Sequence, residues 1–341
     1  RLTGDDTPRI DYTDGGCPVL LTEPQSTNVI TQSNDFSFSA WTKTSGGSGS
    51  NPIVTSNDTI SPDGTQNASK IVFDTGVGTT TSDQSNIGVT LSILNGTAYN
   101  FSLYLKGLIG GEEITFRGAD GAYNEATLTS EWKRYSFSSV STSTSWDTNF
   151  GIRQGLGGIG TINSNATVYA YGAQVEELSY STSYIPTYGT VRTRLQDTVT
   201  GAGTSSDFNS EEGVLFVEAA ALANGLTQAR AITLRGSTGN FVKFIYSPST
   251  NRIDFVVFSG GGVSCNLTYV LGDMDINTKF ALKWKLNDFA FWINGVNIAS
   301  DVSGNPPLGD LLSLSFADES SVASPFFGKT SQVQVFKTAL S

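Results

Sequence analysis

No stretch of this chain repeats its apolar residues at the three-to-four-residue interval of a helix over a useful length. They recur instead at every second position in short runs, broken by clusters of Gly, Asn, Asp, Ser and Pro. Tyr99, Phe101, Leu103 and Leu105 alternate with Asn100, Ser102, Tyr104 and Lys106. Phe280, Leu282, Trp284 and Leu286 share one side of a second run, with Ala281, Lys283 and Lys285 opposite. A period of two gives each strand one face for a core and another for something else. The expected fold class is therefore all-β: two β-sandwich (jelly-roll) domains in series behind an extended N-terminal arm.

The punctuation sets the expected boundaries. Pro8, Gly15-Gly16, Pro18 and Pro24 interrupt residues 1–26, which read as the extended arm, with Pro18-Val-Leu-Leu21 packing on a neighbouring domain or chain. Residues 27–188 form the first sandwich, with a turn at Ser61-Pro-Asp-Gly64. Its closing strand is Val168-Tyr-Ala-Tyr-Gly-Ala-Gln-Val-Glu176. Unbroken alternation there puts Tyr169, Tyr171, Ala173 and Val175 on one face and Gln174 and Glu176 on the other, and Pro186 ends the pattern. Residues 189–210, rich in Thr, Gly, Ser and charge, read as a linker, and residues 211–341 as the second sandwich. In the latter, Asn287-Asp288 fits a two-residue turn and Asn294-Gly295 the type I′ pair, while Gln332-Val-Gln-Val-Phe336 closes the sheet.

Histidine is absent from all 341 residues, which excludes Ser-His-Asp and Cys-His catalysis and His-ligated zinc. The two cysteines, Cys17 and Cys265, fall in different modules and read as isolated thiols. A net charge of −11 lacks the basic footprint of a nucleic-acid binder. No apolar run reaches the ~18 residues that span a membrane. The start at Arg1 and the end at Ala339-Leu-Ser341 suggest a piece of a longer polypeptide.

Sugar-binding sandwiches need flat aromatic faces for pyranose CH groups and Asn, Asp, Gln or Arg at the edges for hydroxyls. Trp146, in the polar stretch Ser141-Thr-Ser-Thr-Ser-Trp-Asp147, is a candidate exposed platform, with Asp147, Asn149 and Arg153 as polar partners; the bland alternative is a Trp capping the sandwich edge. Tyr123, in Gly118-Ala-Asp-Gly-Ala-Tyr-Asn124, is a second loop candidate. Trp292 points away from the face of Phe289, Phe291 and Ile293, and lines a groove or packs on another module or subunit. Trp41, Trp132 and Trp284 read as core.

Asp273-Met-Asp275-Ile-Asn277 spaces oxygen ligands like a calcium loop but lacks the Gly and distal Glu of an EF-hand, so no metal or cofactor is assigned. Acidic Asp11, Asp14 and Glu23 read as solvated. Gly155-Leu-Gly-Gly158 lacks the Lys-Ser/Thr of a phosphate loop. Glu112-Glu113, Glu176-Glu177 and Glu211-Glu212 are adjacent pairs whose members face opposite sides of a strand, so no catalytic residue is assigned and the chain is not read as an enzyme.

An ordered series of short motifs resembles bacteriophage virion proteins, the tail- or head-fibre-like components. It comprises Pro8-Arg-Ile-Asp-Tyr12, Gly15-Gly-Cys-Pro18, Leu21-Thr-Glu-Pro-Gln25, Asn34-Asp-Phe36 with Trp41-Thr-Lys43, Ser61-Pro-Asp-Gly64, Gly172-Ala-Gln-Val-Glu176 and Thr182-Ser-Tyr-Ile-Pro-Thr187, with Phe289 to Gly295 matching more loosely in the second half. Such proteins join a jelly roll similar to family 4/9-type carbohydrate-binding modules to a concanavalin A-like, laminin-G-like sandwich. The resemblance implies a virion surface protein that attaches to host surface glycans, contacts other virion proteins and forms a homo-oligomer, a trimer by the fibre analogy. The alternatives are a purely structural decoration protein, a polysaccharide depolymerase, and a secreted bacterial adhesin.

Overall fold

The computed structural model describes residues 8–12, 17–155, 164–226, 228–248, 250–318 and 324–339. Gly15-Gly16, Asp14, most of the Gly155–Gly158 loop and the last two residues lie outside them. The chain is all-β, every strand pairing among the described residues is antiparallel, and it divides into two units. One unit holds residues 25–195; the other combines residues 2–24 with residues 196–341.

The segment before the first unit is not simply an arm. Strands β1 (Ile10–Asp11) and β2 (Val19–Thr22) form a hairpin, and both belong to the second unit's larger sheet. Leu20 packs against the second unit's core from this hairpin.

The first unit begins with β3 (Ser26–Asn28), β4 (Thr42–Gly46), β5 (Ser50–Ile60), β6 (Gln66–Asp74), β7 (Gln84–Ser92) and β8 (Ala98–Gly107). It continues with β9 (Glu113–Arg117), β10 (Tyr123–Thr127), β11 (Lys133–Val140), β12 (Ser145–Arg153), β13 (Asn165–Glu176) and β14 (Arg192–Arg194). Two five-stranded sheets result, ordered β10-β9-β12-β7-β4 and β11-β8-β13-β6-β5, and β14 pairs separately with β3. Part of the expected linker is thus ordered strand. Phe36, Trp41, Phe73, Phe101, Phe116, Trp146 and Phe150 fill the space between the sheets.

Unbroken alternation along β13 does not hold. Gly172 sits at φ +66° in a bulge between Tyr171 and Gln174, and one extra residue reverses the facing of all that follows. Val168 and Ala170 face the core before it and Ala173 and Val175 after it, leaving Tyr169 and Tyr171 outside. Beyond the bulge, buried Gln174 accepts from the Ile185 amide at 2.6 Å. Buried Glu176 accepts from Ser26 Oγ at 2.6 Å and the Thr182 amide at 2.9 Å. Asn28 Nδ2 donates to the carbonyls of Ala173 and Ile185. These bonds satisfy backbone that Pro186 and the irregular exit leave without a ladder.

The second unit adds β15 (Glu212–Ala221), β16 (Arg230–Arg235), β17 (Phe241–Ser247), β18 (Arg252–Ser259) and β19 (Gly262–Val270). It ends with β20 (Thr278–Lys285), β21 (Phe289–Ile293), β22 (Val296–Asp301), β23 (Ser313–Ser315) and β24 (Gly328–Phe336). Its sheets run β1-β2-β24-β15-β20-β21-β22 and β19-β18-β17-β16-β23. The strand expected to close the sheet, β24, is interior, because β2 covers its other edge. Asn294 and Gly295 both have positive φ, as a type I′ turn requires. The preceding turn is longer than two residues: Leu286 leaves the strand face for solvent and Asn287 takes the left-handed conformation.

Replacing Gly172 by Ala would force a Cβ into the left-handed region with Tyr104 Cδ2 at 3.2 Å. Gly172→Ala should cost about 1–2 kcal/mol in a denaturant melt.

Candidate functional site

The outer face of the β10-β9-β12-β7-β4 sheet follows from the residues beneath it. Trp146, Phe150 and Ile152 point into the core from β12, so Asp147, Asn149, Gly151 and Arg153 point out. The β12–β7 register sets these opposite Thr90, Gly88, Asn86 and Gln84. On β9 and β10 the same parity turns Arg117, Thr115 and Glu113 to this side beside Tyr123, Glu125 and Thr127, with Thr115 itself buried under its neighbours.

Two hydrogen-bonded groups occupy this face. Arg153 Nη1 donates to Tyr123 Oη at 2.8 Å and to Gln84 Oε1 at 2.9 Å, and its guanidinium lies 4.8 Å from the Tyr123 ring centroid. Gln84 Oε1 also accepts from Asn86 Nδ2 at 3.1 Å. Nearby, Arg117 pairs with Asp147 at 3.1 Å, and Asn149 Nδ2 donates to the Asp147 carbonyl at 3.3 Å. The side chains of Asn149 and Asn86 lie over Gly88 and Gly151. A methyl on Gly88 would lie 2.5 Å from Asn149 Cβ, and one on Gly151 2.7 Å from Asn86 Oδ1.

Three acceptors here are buried without a hydrogen-bond partner among the described residues: Asn86 Oδ1, Asn149 Oδ1 and Glu125 Oε1. A buried acceptor left unpaired costs about 1–3 kcal/mol. Burial, and then the neighbouring Glu113 carboxylate, raise the Glu125 pKa above its ordinary 4.5. The arrangement offers acceptors, a fixed guanidinium and a phenol ring to a polyhydroxylated ligand.

Of the sequence candidates, Tyr123 and Arg153 touch each other, and Asp147 shares their face. Trp146 is not an exposed platform. It is 3% exposed, its Nε1 donates to the Arg117 carbonyl, and it packs near Phe101 and Tyr99. The polar run before it hid that β12 starts at Ser145, one residue ahead, which turns even-numbered positions inward. Trp132, expected in the core, stands outside: it precedes β11 on the side opposite Tyr135, and Lys106 Nζ lies 5.9 Å from its ring centroid. Trp41 and Trp284 are core, as expected. Sequence reading missed Gln84, Asn86 and Glu125. The alternation of Asn86, Gly88 and Thr90 with Ile87, Val89 and Leu91 is the signal that identifies the first of these strands.

Trp292 belongs to the other unit. It lies outward beside Ala281 and Phe216 in a shallow cavity of about 340 Å³, with Lys283 Nζ 5.7 Å from its ring centroid. At the edge of the first unit's polar face, Arg117, Asp120, Thr142 and Asp147 line a smaller hollow of about 200 Å³. In the second unit, Asn224 Nδ2 donates to Asp273 and Asp275 at 3.1 and 3.2 Å, engaging the carboxylates of the calcium-like sequence.

No family model and no curated protein matches the chain. Among solved structures it is similar to a Ruminococcus gnavus sialidase carbohydrate-binding module of family 40 bound to α2,3-sialyllactose: 19% identity, 39% of this chain and 79% of that one, TM-score 0.32. Sheep galectin-11 in complex with glycerol gives 11%, 42%, 100% and 0.30. Domains LG4-5 of the mouse laminin α1 chain give 10%, 74%, 88% and 0.29. Identities and scores are low throughout, and the functional reading rests on this chain's own geometry.

Trp146→Ala should lower stability by about 3–5 kcal/mol, whereas Trp132→Ala should stay within about 1 kcal/mol, in parallel urea melts. Glu125 adds a pH test. A carboxyl whose folded pKa is raised carries its penalty only when ionised, so the penalty is absent below its unfolded value and complete above the raised one. Glu125→Gln should raise Tm by about 1–2 °C at pH 7, and the gain should vanish at pH 3.5.

Proposed function

We propose that the chain is a non-enzymatic, glycan-binding component of a bacteriophage virion surface, and that it holds sugar on the outer face of the β10-β9-β12-β7-β4 sheet. The observation that carries the binding reading is the Tyr123–Arg153–Gln84 group fixed beside the Arg117–Asp147 pair on one outer sheet face. Arg153 donates to and Asp147 accepts from sugar hydroxyls, and the Tyr123 ring offers an apolar face. The virion assignment is supported by the ordered motif series. Attachment to host surface glycans fits a shallow site of this kind, since several weak sites on one oligomer gain avidity together.

A second reading, a structural decoration protein, draws support from the second unit. Phe216, Ala281 and Trp292 form an apolar row on its outer sheet face, suited to packing on a neighbouring virion subunit.

The purified chain, in whatever oligomer it forms, should retain specific bacterial surface glycans on an array. Tyr123→Ala and Arg153→Gln should each lower that affinity by at least about tenfold while the melting temperature stays near that of the parent. Retention unaffected by both changes, or no retention of any glycan, would remove this face as the site.

A further inference from the structure

The opposite sheet of the first unit carries a different chemistry on its outer face. Tyr169 of β13 is flanked directly by Lys70 of β6 and Lys106 of β8. Trp132 continues the row, because the β11–β8 register pairs Lys133 with Leu105 and so sets the preceding residue beside Lys106. Cation and aromatic thus alternate across four neighbouring chain segments. Lys106 Nζ lies 5.4 Å from the Tyr169 centroid and 5.9 Å from that of Trp132. All four side chains are partly exposed. Among the described residues neither Lys70 nor Lys106 forms an ion pair. The adjoining rows supply Val72 and Thr167 on one side and Tyr104, Tyr171 and Arg134 on the other, and the nearest carboxylate on β5 is Asp58, in the bulge between the partners of Lys70 and Ala68. Asp63, beyond Tyr171, already accepts from the Tyr171 hydroxyl at 2.8 Å.

We propose that this row is a second saccharide-binding face, selective for an acidic polysaccharide that bears one carboxylate per disaccharide repeat. Lys70 and Lys106 sit two strand spacings apart, about 10 Å at the backbone. A disaccharide repeat has the same length, so carboxylates on alternate sugars reach both ammonium groups while the sugar between them lies on Tyr169. Trp132 receives the next ring. Lys106 keeps its contact with the Tyr169 and Trp132 rings while its outer N–H groups meet a carboxylate.

The charge of the whole chain selects among polyanions. At −11, the protein opposes a ligand charged at every unit, and two lysines fall far short of the footprint of single-stranded nucleic acid. A sparsely charged polymer meets only the local field, because at physiological salt charges beyond roughly 8 Å are largely screened. The proposal is independent of the Tyr123 face, with which it shares no residue.

The test is calorimetric titration of the intact chain with a hyaluronan octasaccharide, which carries glucuronate on alternate sugars. Cellohexaose and oligothymidylate serve as the neutral and nucleic-acid probes. Hyaluronan should bind, more weakly as salt rises, and Lys70→Gln and Lys106→Gln should each weaken it about fivefold. Tyr169→Ala should weaken it further, with circular dichroism and melting temperature confirming that each variant is folded. Absence of hyaluronan binding overturns the proposal, as does binding that survives the double lysine variant, or equal affinity for cellohexaose or oligothymidylate. Loss of hyaluronan binding in Arg153→Gln but not in Lys106→Gln would move the acidic saccharide to the other face and also overturn it.

Discussion

Phe150 is the residue around which the first unit is arranged. Five rings surround it, with centroids at 5.8 Å for Phe36, 6.0 Å for Phe73, 6.3 Å for Trp41 and Phe116, and 6.5 Å for Phe101. Edge-on and offset ring contacts of this kind add to area burial and leave little freedom of placement. Once Phe150 is fixed inward, the pleat fixes Asn149 and Gly151 outward, and the next residues on each side follow. The polar face is therefore a direct consequence of aromatic packing one layer below. That packing also offsets what the face costs, since acceptors without partners persist only where the surrounding fold over-determines them.

Much of the architecture is legible in the alternation of residues such as Tyr99 to Leu105 and Phe280 to Trp284, because burial of one face leaves a strong mark on composition. What hid elsewhere hid for physical reasons. Trp146 and Trp132 exchange the places expected of them. Polar neighbours say little about a tryptophan when strand parity, set by where β12 begins, decides its facing. The bulge at Gly172 is a single residue in the left-handed region, and no period-two pattern announces where the count slips. The terminal hairpin around Leu20 pairs with a strand some three hundred residues away, a separation no local pattern can encode. The candidate site was half legible. Tyr123, Asp147 and Arg153 stood out by residue type, whereas Asn86 and Gln84 acquire meaning only from the register that sets them opposite Gly151 and Arg153. The motifs of the resemblance fall largely elsewhere. Gln174, Glu176 and Thr182 hold the chain's exit together, and Thr182 also accepts from Arg134 through its carbonyl.

The two sheets of this unit present distinct chemistries from one core. One outer face is a net of amides, carboxylates and guanidinium groups that fix one another's rotamers, which lowers the ordering cost of binding. The other is a ladder of lysines and rings, whose long side chains remain adaptable.

The larger sheet of the second unit has a consequence in time. Strand β24 lies between β2 and β15, and so completes a gap of about 10 Å between two strands made far earlier. During synthesis the residues of the first unit are all available once residue 195 has emerged. The other unit must then wait for roughly 7–28 s at ordinary elongation rates. Until β24 arrives, two facing strand edges stand open to any extended segment that comes by. Glu218 of β15, on the edge opposite Gln332 of β24, puts a charge beside a vacancy that the nascent chain itself must fill.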